Sequence, residues 1–131
     1  MQNLEAKNLN VSMTTKGALP RVPFALLKKK ILGDKYELSI TFVPPTEIKK
    51  LSMMYKGDDT HKNILSFPLS KTTGEIILNL TEIKKEAPKF DRNFQNQLIF
   101  LVIHGMLHLA GYTHGSKMES QEKLYMSKFA E

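Results

Sequence analysis

The stretch DRNFQNQLIFLVIHGMLHLAGYTH, residues 91–114, decides the fold. Asp91 reads as an N-cap, and the run after it to Ala110 is helical, with apolar residues on nearly every face between Leu98 and Leu109. A helix that is apolar all round must be buried, so the remaining residues have to cover it. Gly111 offers a stop and a turn.

Working outward, YELSITFV at residues 36–43 alternates and is rich in β-formers, which predicts a strand. Pro44 and Pro45 bar its continuation, and Thr46 with Glu47 starts a helix through Ile48, Leu51 and Met54 to about Tyr55. The polar YKGDDTHK, residues 55–62, predicts an exposed loop leading into the strand NILSFPL. GEIILNL, residues 74–80, predicts the partner of a hairpin-like antiparallel pair. Toward the N-terminus, Leu9 to Met13 reads as a short first strand. RVPFALLKKKIL, opened by Pro20 and closed by Gly33 and Asp34, reads as a helix with Val22, Leu26, Leu27 and Ile31 at helical spacing. Met118, Glu122, Tyr125, Met126 and Phe129 place a terminal helix over Lys117 to Phe129. The order β-α-β-α-β-β-α-α lacks strict alternation. It predicts a small α+β domain spanning residues 1–131, with a mixed, mostly four-stranded sheet packed against the buried helix.

A chain of 131 residues with 41% hydrophobic content can bury a core without staples. There is no cysteine, which removes disulfides, thiolate metal sites and a cysteine nucleophile together. No uncharged apolar run approaches the roughly 18 residues of a membrane span, and the polar N-terminus lacks the apolar core of a secretion signal. The expectation is a cytoplasmic protein with no membrane partner. The formal net charge of +6 favours polyanionic partners, nucleic acid first. The lysines Lys28 to Lys30, Lys49 and Lys50, and Lys84 and Lys85 are dispersed and read as solvated surface, so charge alone supports nucleic-acid binding only weakly.

Three of the four histidines, His104, His108 and His114, fall inside the deciding stretch. His104 and His108, four apart, share a helix face and can aim ring nitrogens at one ion. The turn at Gly111 can swing His114 back to join them. An HxxxH pair alone also describes unrelated core histidines. Polar rings in an apolar helix, however, cost several kcal/mol when they lack partners, on the order of 2–7 kcal/mol each. A structural zinc usually takes four protein ligands, so a three-histidine set leaves a position for water and leans toward catalysis. Gly105 stands where an HExxH protease carries its glutamate base, which disfavours that mechanism and is expected to leave room beside the metal. A base is then unnecessary, or is a phosphate oxygen or a loop carboxylate, with Asp58, Asp59, Glu119 and Glu122 as candidates. Lys56 is the loop cation best placed to stabilise charge on a phosphodiester. His61, alone in its loop, reads as solvated.

HGMLHLAGYTH resembles the H-G-x-x-H-L-x-G-Y-D-H signature of the YbeY family of bacterial metal-dependent endoribonucleases. YKGDDTHKNILSFP is similar to that family's Y-R-x-K-D-x-P-T-D-V-L-S-F-P segment, and GEIIL to its G-D-I-x-I strand. The similarity covers most of the chain from about residue 36. It implies one zinc ion per chain on His104, His108 and His114, with His108 and Lys56 serving catalysis and Lys56 and Lys62 contacting RNA. It further implies a metal-activated water that cleaves single-stranded RNA in small-subunit rRNA 3′-end maturation and ribosome quality control, with the ribosome or its proteins as partners. Lys56 replaces an arginine and so loses the planar fork that clamps phosphate. His61, Lys62 and Asn63 replace proline, threonine and aspartate, and Thr113 replaces an aspartate of the kind that orients a ligand. A competing expectation is a ribosome-assembly or RNA-binding factor with a mainly structural metal. A hydrolase of peptides or small molecules is a third.

Overall fold

The computed structural model describes residues 2–131. Five strands form one sheet: β1 (Gln2–Ala6), β2 (Leu9–Met13), β3 (Glu37–Phe42), β4 (Ile64–Pro68) and β5 (Thr73–Leu78). The spatial order is β1-β2-β3-β5-β4. The outer pairs β1/β2 and β4/β5 are antiparallel, while β2/β3 and β3/β5 are parallel. The mixed sheet and the β4/β5 hairpin agree with the sequence reading; the strand count of four does not. β1 is polar and carries little apolar signal of its own. It forms by backbone pairing along the edge, turned by Lys7 and by Asn8 in the left-handed region at φ 54.

Alternation sorts the sheet into two faces. Val11, Ile40 and Ile76 lie in register across three strands, each 0% exposed. They face α1 (Phe24–Ile31), α3 (Leu80–Glu86) and α4 (Phe94–Leu109), with α5 (Ser116–Phe129) packed on α4. On the other face, Leu65 and Ile77 form a second cluster with Val43 and Ile48, under α2 (Pro45–Lys56). The apolar helix is the middle layer here, as its composition demands, with ten of its residues buried.

Several boundaries moved for identifiable reasons. Asp91 is not the N-cap. It sits left-handed at φ 55 and ends a 3-10 turn (Ala87–Phe90), and Asn93 caps α4 by accepting from the Asn96 amide at 2.8 Å. The strand GEIILNL stops at Leu78 because the Asn79 side chain accepts from the Thr81 amide and starts α3, an element the sequence reading left out. α3 is short and is held by one fully buried side chain, Ile83.

The inward faces of α1 and α2 also differ from expectation. Phe24, Leu27 and Lys28 face inward from α1, while Leu26 is 46% exposed. Lys28 is therefore not solvated. Its ammonium donates to the Asp34 carbonyl at 2.9 Å, and burial pulls its pKa down against the opposing charge of Asp34. In α2 the inward pair is Ile48 and Ser52, and Met54 is exposed.

Candidate metal centre

α4 ends in a Schellman turn. Tyr112 N donates to Leu107 O at 3.0 Å, Gly111 N donates to His108 O at 3.0 Å, and Gly111 takes φ 104. That turn does two things at once: it brings His114 back against the helix, and it points the Tyr112 carbonyl at His108. The ring centroid of His114 lies 5.4 Å from that of His104 and 4.8 Å from that of His108. One ring nitrogen from each of the three histidines falls within a 4.8 Å span.

The remaining nitrogens are spoken for. His104 Nδ1 lies 2.7 Å from Glu122 Oε2, and His108 Nδ1 lies 3.1 Å from the Tyr112 carbonyl oxygen. Both oxygens only accept, so each Nδ1 carries the proton and each Nε2 presents a lone pair. Those two Nε2 atoms face each other at 3.2 Å. At that separation the two nitrogens need a shared proton or a metal cation between them. A tetrahedral ion with ligands at ~2.0–2.1 Å has ligand-to-ligand edges of about 3.3 Å, so the His104–His108 pair matches one such edge, and three nitrogen donors suit a metal of the zinc type. Burial, and then the neighbouring His104 ring, hold the His108 pKa below its ordinary value. His108 therefore stays neutral and able to donate its lone pair near neutral pH.

The three histidines open into a cleft of about 630 Å³, which Lys56, His61, Asn63, Phe90, Phe100 and Thr113 also line. The exposed Lys56 ammonium sits 5.8 Å from the Phe67 ring centre. Lys62 is exposed but is not among the lining residues, and its carbonyl accepts from Asn79. His61 enters the cleft, so it is not simply a solvated loop residue; its Nδ1 lies 3.4 Å from Ser52 Oγ.

The candidate bases are elsewhere. Asp58 is tied to Thr60, whose hydroxyl and amide hydrogen bonds lower its pKa, and Asp59 pairs with Lys49 at 3.6 Å. Glu119 is exposed, and neither it nor any other carboxylate is among the described lining residues. Glu122, 8% exposed, stands behind His104 as its orienting partner. The signal for that role was an acid on the apolar stripe of the last helix, a costly place for an unpaired charge.

Gly105 does not make room beside the metal. A Cβ there would come within 3.0 Å of Ile64 Cδ1, 3.1 Å of Ile76 Cδ1 and 3.1 Å of Ser66 Oγ. α4 presses against β4 and β5 at this position, and any side chain there has to push Ile64, Ile76 or Ser66 aside.

A family model described as endoribonuclease YbeY matches residues 2–130. The endoribonuclease YbeY of Caldanaerobacter subterraneus is 31% identical over 79% of this chain and 76% of its own length. That of Thermotoga maritima is 33% identical over 74% of this chain and 65% of its own. The solution structure of a Thermotoga maritima protein superposes with a TM-score of 0.64 at 26% identity, covering 92% of this chain and 87% of that one.

Proposed function

The chain belongs to the endoribonuclease YbeY family, and from that premise we propose that it is a zinc-dependent endoribonuclease of single-stranded RNA, acting in the cytoplasm on small-subunit rRNA and the ribosome. The observation that carries the reading is the pair of Nε2 atoms held face to face at 3.2 Å, with His114 beside them. A zinc ion held there supplies Lewis acidity that lowers the pKa of water and neutralises charge on a phosphodiester.

The protein's own residues do the rest. Glu122 and the Tyr112 carbonyl fix the tautomers of His104 and His108, so no reorganisation is needed to present both lone pairs. Lys56 lines the same cleft and supplies a point charge for the phosphate, without the two-pronged grip of an arginine. With no carboxylate among the described lining residues, the proton acceptors at hand are the His61 ring and a phosphate oxygen of the substrate. The net charge of +6 draws the polyanion in.

The test is zinc analysis of protein purified without added metal, paired with cleavage of single-stranded RNA by the wild type, His108→Ala and Lys56→Ala. About one zinc per chain is expected, lost together with cleavage in His108→Ala, while Lys56→Ala keeps zinc and slows cleavage by on the order of 10²-fold. Zinc-bearing protein that binds RNA without cutting it, and that chelators strongly destabilise, would support the assembly-factor reading instead, and metal-free protein would count against both.

A further inference from the structure

Phe90 is a large aromatic side chain kept in water. It is 55% exposed, yet it lines the cleft that holds the histidines. The backbone around it is fixed. Ala87, at the start of the same turn, is 2% exposed; Asp91 N donates to Pro88 O and Arg92 N to Ala87 O, both at 3.2 Å. Asp91 accepts the left-handed region at φ 55, which a non-glycine residue enters at a cost. The turn therefore holds the ring out at the lip of the cleft instead of tucking it into the core, where it would gain burial free energy.

Two residues on, Arg92 is a held cation. The Arg92 guanidinium carbon lies 4.1 Å from the Phe100 ring centre, and its Nη1 donates to Gln97 Oε1 at 2.9 Å. Gln97, 2% exposed, passes its own Nε2 to Glu86 at 3.3 Å. Phe100 is thus covered by Arg92 and stacks on His104, with centroids 5.9 Å apart and planes 28° apart. Phe90, by contrast, lines the cleft with its ring more than half exposed.

An exposed aromatic ring lining the cleft that holds the histidines, in a basic protein, is an arrangement that takes an unpaired nucleobase. We infer that Phe90 is a base-stacking platform that seats one unpaired nucleobase of the RNA beside the histidine site, and that it selects single strands because a paired base cannot reach it. This deepens the nuclease reading above and rests on it for the identity of the ligand.

The chain contains no tryptophan, so Phe90→Trp provides a single indole as a stacking probe. In chelated protein, a single-stranded RNA oligonucleotide should quench that emission, and an abasic oligonucleotide of equal charge should not. Phe90→Ala should weaken binding of the same RNA by about five- to a hundredfold. Phe90→Tyr should restore it, and Leu69→Ala, which removes an exposed side chain outside the cleft, should change nothing. Equal quenching by both oligonucleotides, or unaltered binding in Phe90→Ala, would overturn the platform. Cleavage by the zinc-loaded wild type is measured in parallel. Quenching without cleavage keeps the platform and sinks the nuclease; cleavage without base-dependent quenching does the reverse.

Discussion

Replacing Glu122 tests whether the site is built to hold a metal or merely happens to contain histidines. The carboxylate lies 2.7 Å from His104 Nδ1 and is 8% exposed, so the bond is short, charge-assisted and shielded from water. Removing such an outer partner lowers metal affinity by about 10–100-fold, equivalent to about 1.4–2.8 kcal/mol. Glu122→Gln keeps an oxygen acceptor for the Nδ1 proton and loses only the charge, which places it near the tenfold end. Glu122→Ala also frees the ring to turn and leaves the Nδ1 proton without its buried partner, which places it near the hundredfold end. The assay is zinc competition against a chromophoric chelator, run on the wild type, both variants and Glu119→Gln. Glu119 is exposed and outside the cleft lining, so its variant should bind as the wild type does. Folded Glu122→Gln and Glu122→Ala proteins that bind zinc as tightly as the wild type would refute the claim that this carboxylate orients a ligand.

Further expectations follow from packing and protonation. Gly105→Ala places a Cβ within 3.0–3.1 Å of Ile64, Ile76 and Ser66, and should cost about 1–3 kcal/mol in denaturant unfolding while leaving the ligands intact. Gly74→Ala should be worse, because its Cβ would collide with the buried Tyr36 Oη and lie 3.0 Å from Leu109; loss of soluble protein or a large drop in melting temperature is the readout. For pH, the folded state holds His108 below its ordinary value of 6.5, so below that value the unfolded chain binds the extra proton. Chelated protein should accordingly be less stable at pH about 5.5 than at about 7.5, and His108→Gln should shrink that difference. An unchanged difference in the variant would assign the slope to other groups.

Much of the fold was readable because period and punctuation agree along the chain. The alternation at residues 36–43 became β3, and the paired prolines fixed where α2 begins. The all-apolar α4 became the buried layer. Where the reading failed, local signals were weak or ambiguous. β1 is an edge strand that exists through pairing with β2. α3 is a seven-residue helix whose apolar content reads equally well as the end of a strand. Leu26 and Lys28 traded places because propensity does not say which side of a helix meets the sheet, and a lysine can bury its stem while its ammonium finds carbonyl oxygens.

The same division runs through the site. The residue types and spacing in HGMLHLAGYTH identify three ligands and a turn from sequence alone, because helix periodicity and the left-handed freedom of Gly111 are local properties of the chain. What each histidine's second nitrogen touches is not local. Glu122 arrives from a helix 18 residues further on, and Phe90 reaches the cleft from a turn before α4. Gly105 is explained by a sheet it meets only after folding. Sequence determined which atoms can bind a metal; only tertiary packing decided which carboxylate orients them, which carboxylates stay away, and which ring is left exposed, since burial and distance exist only between elements brought together in space.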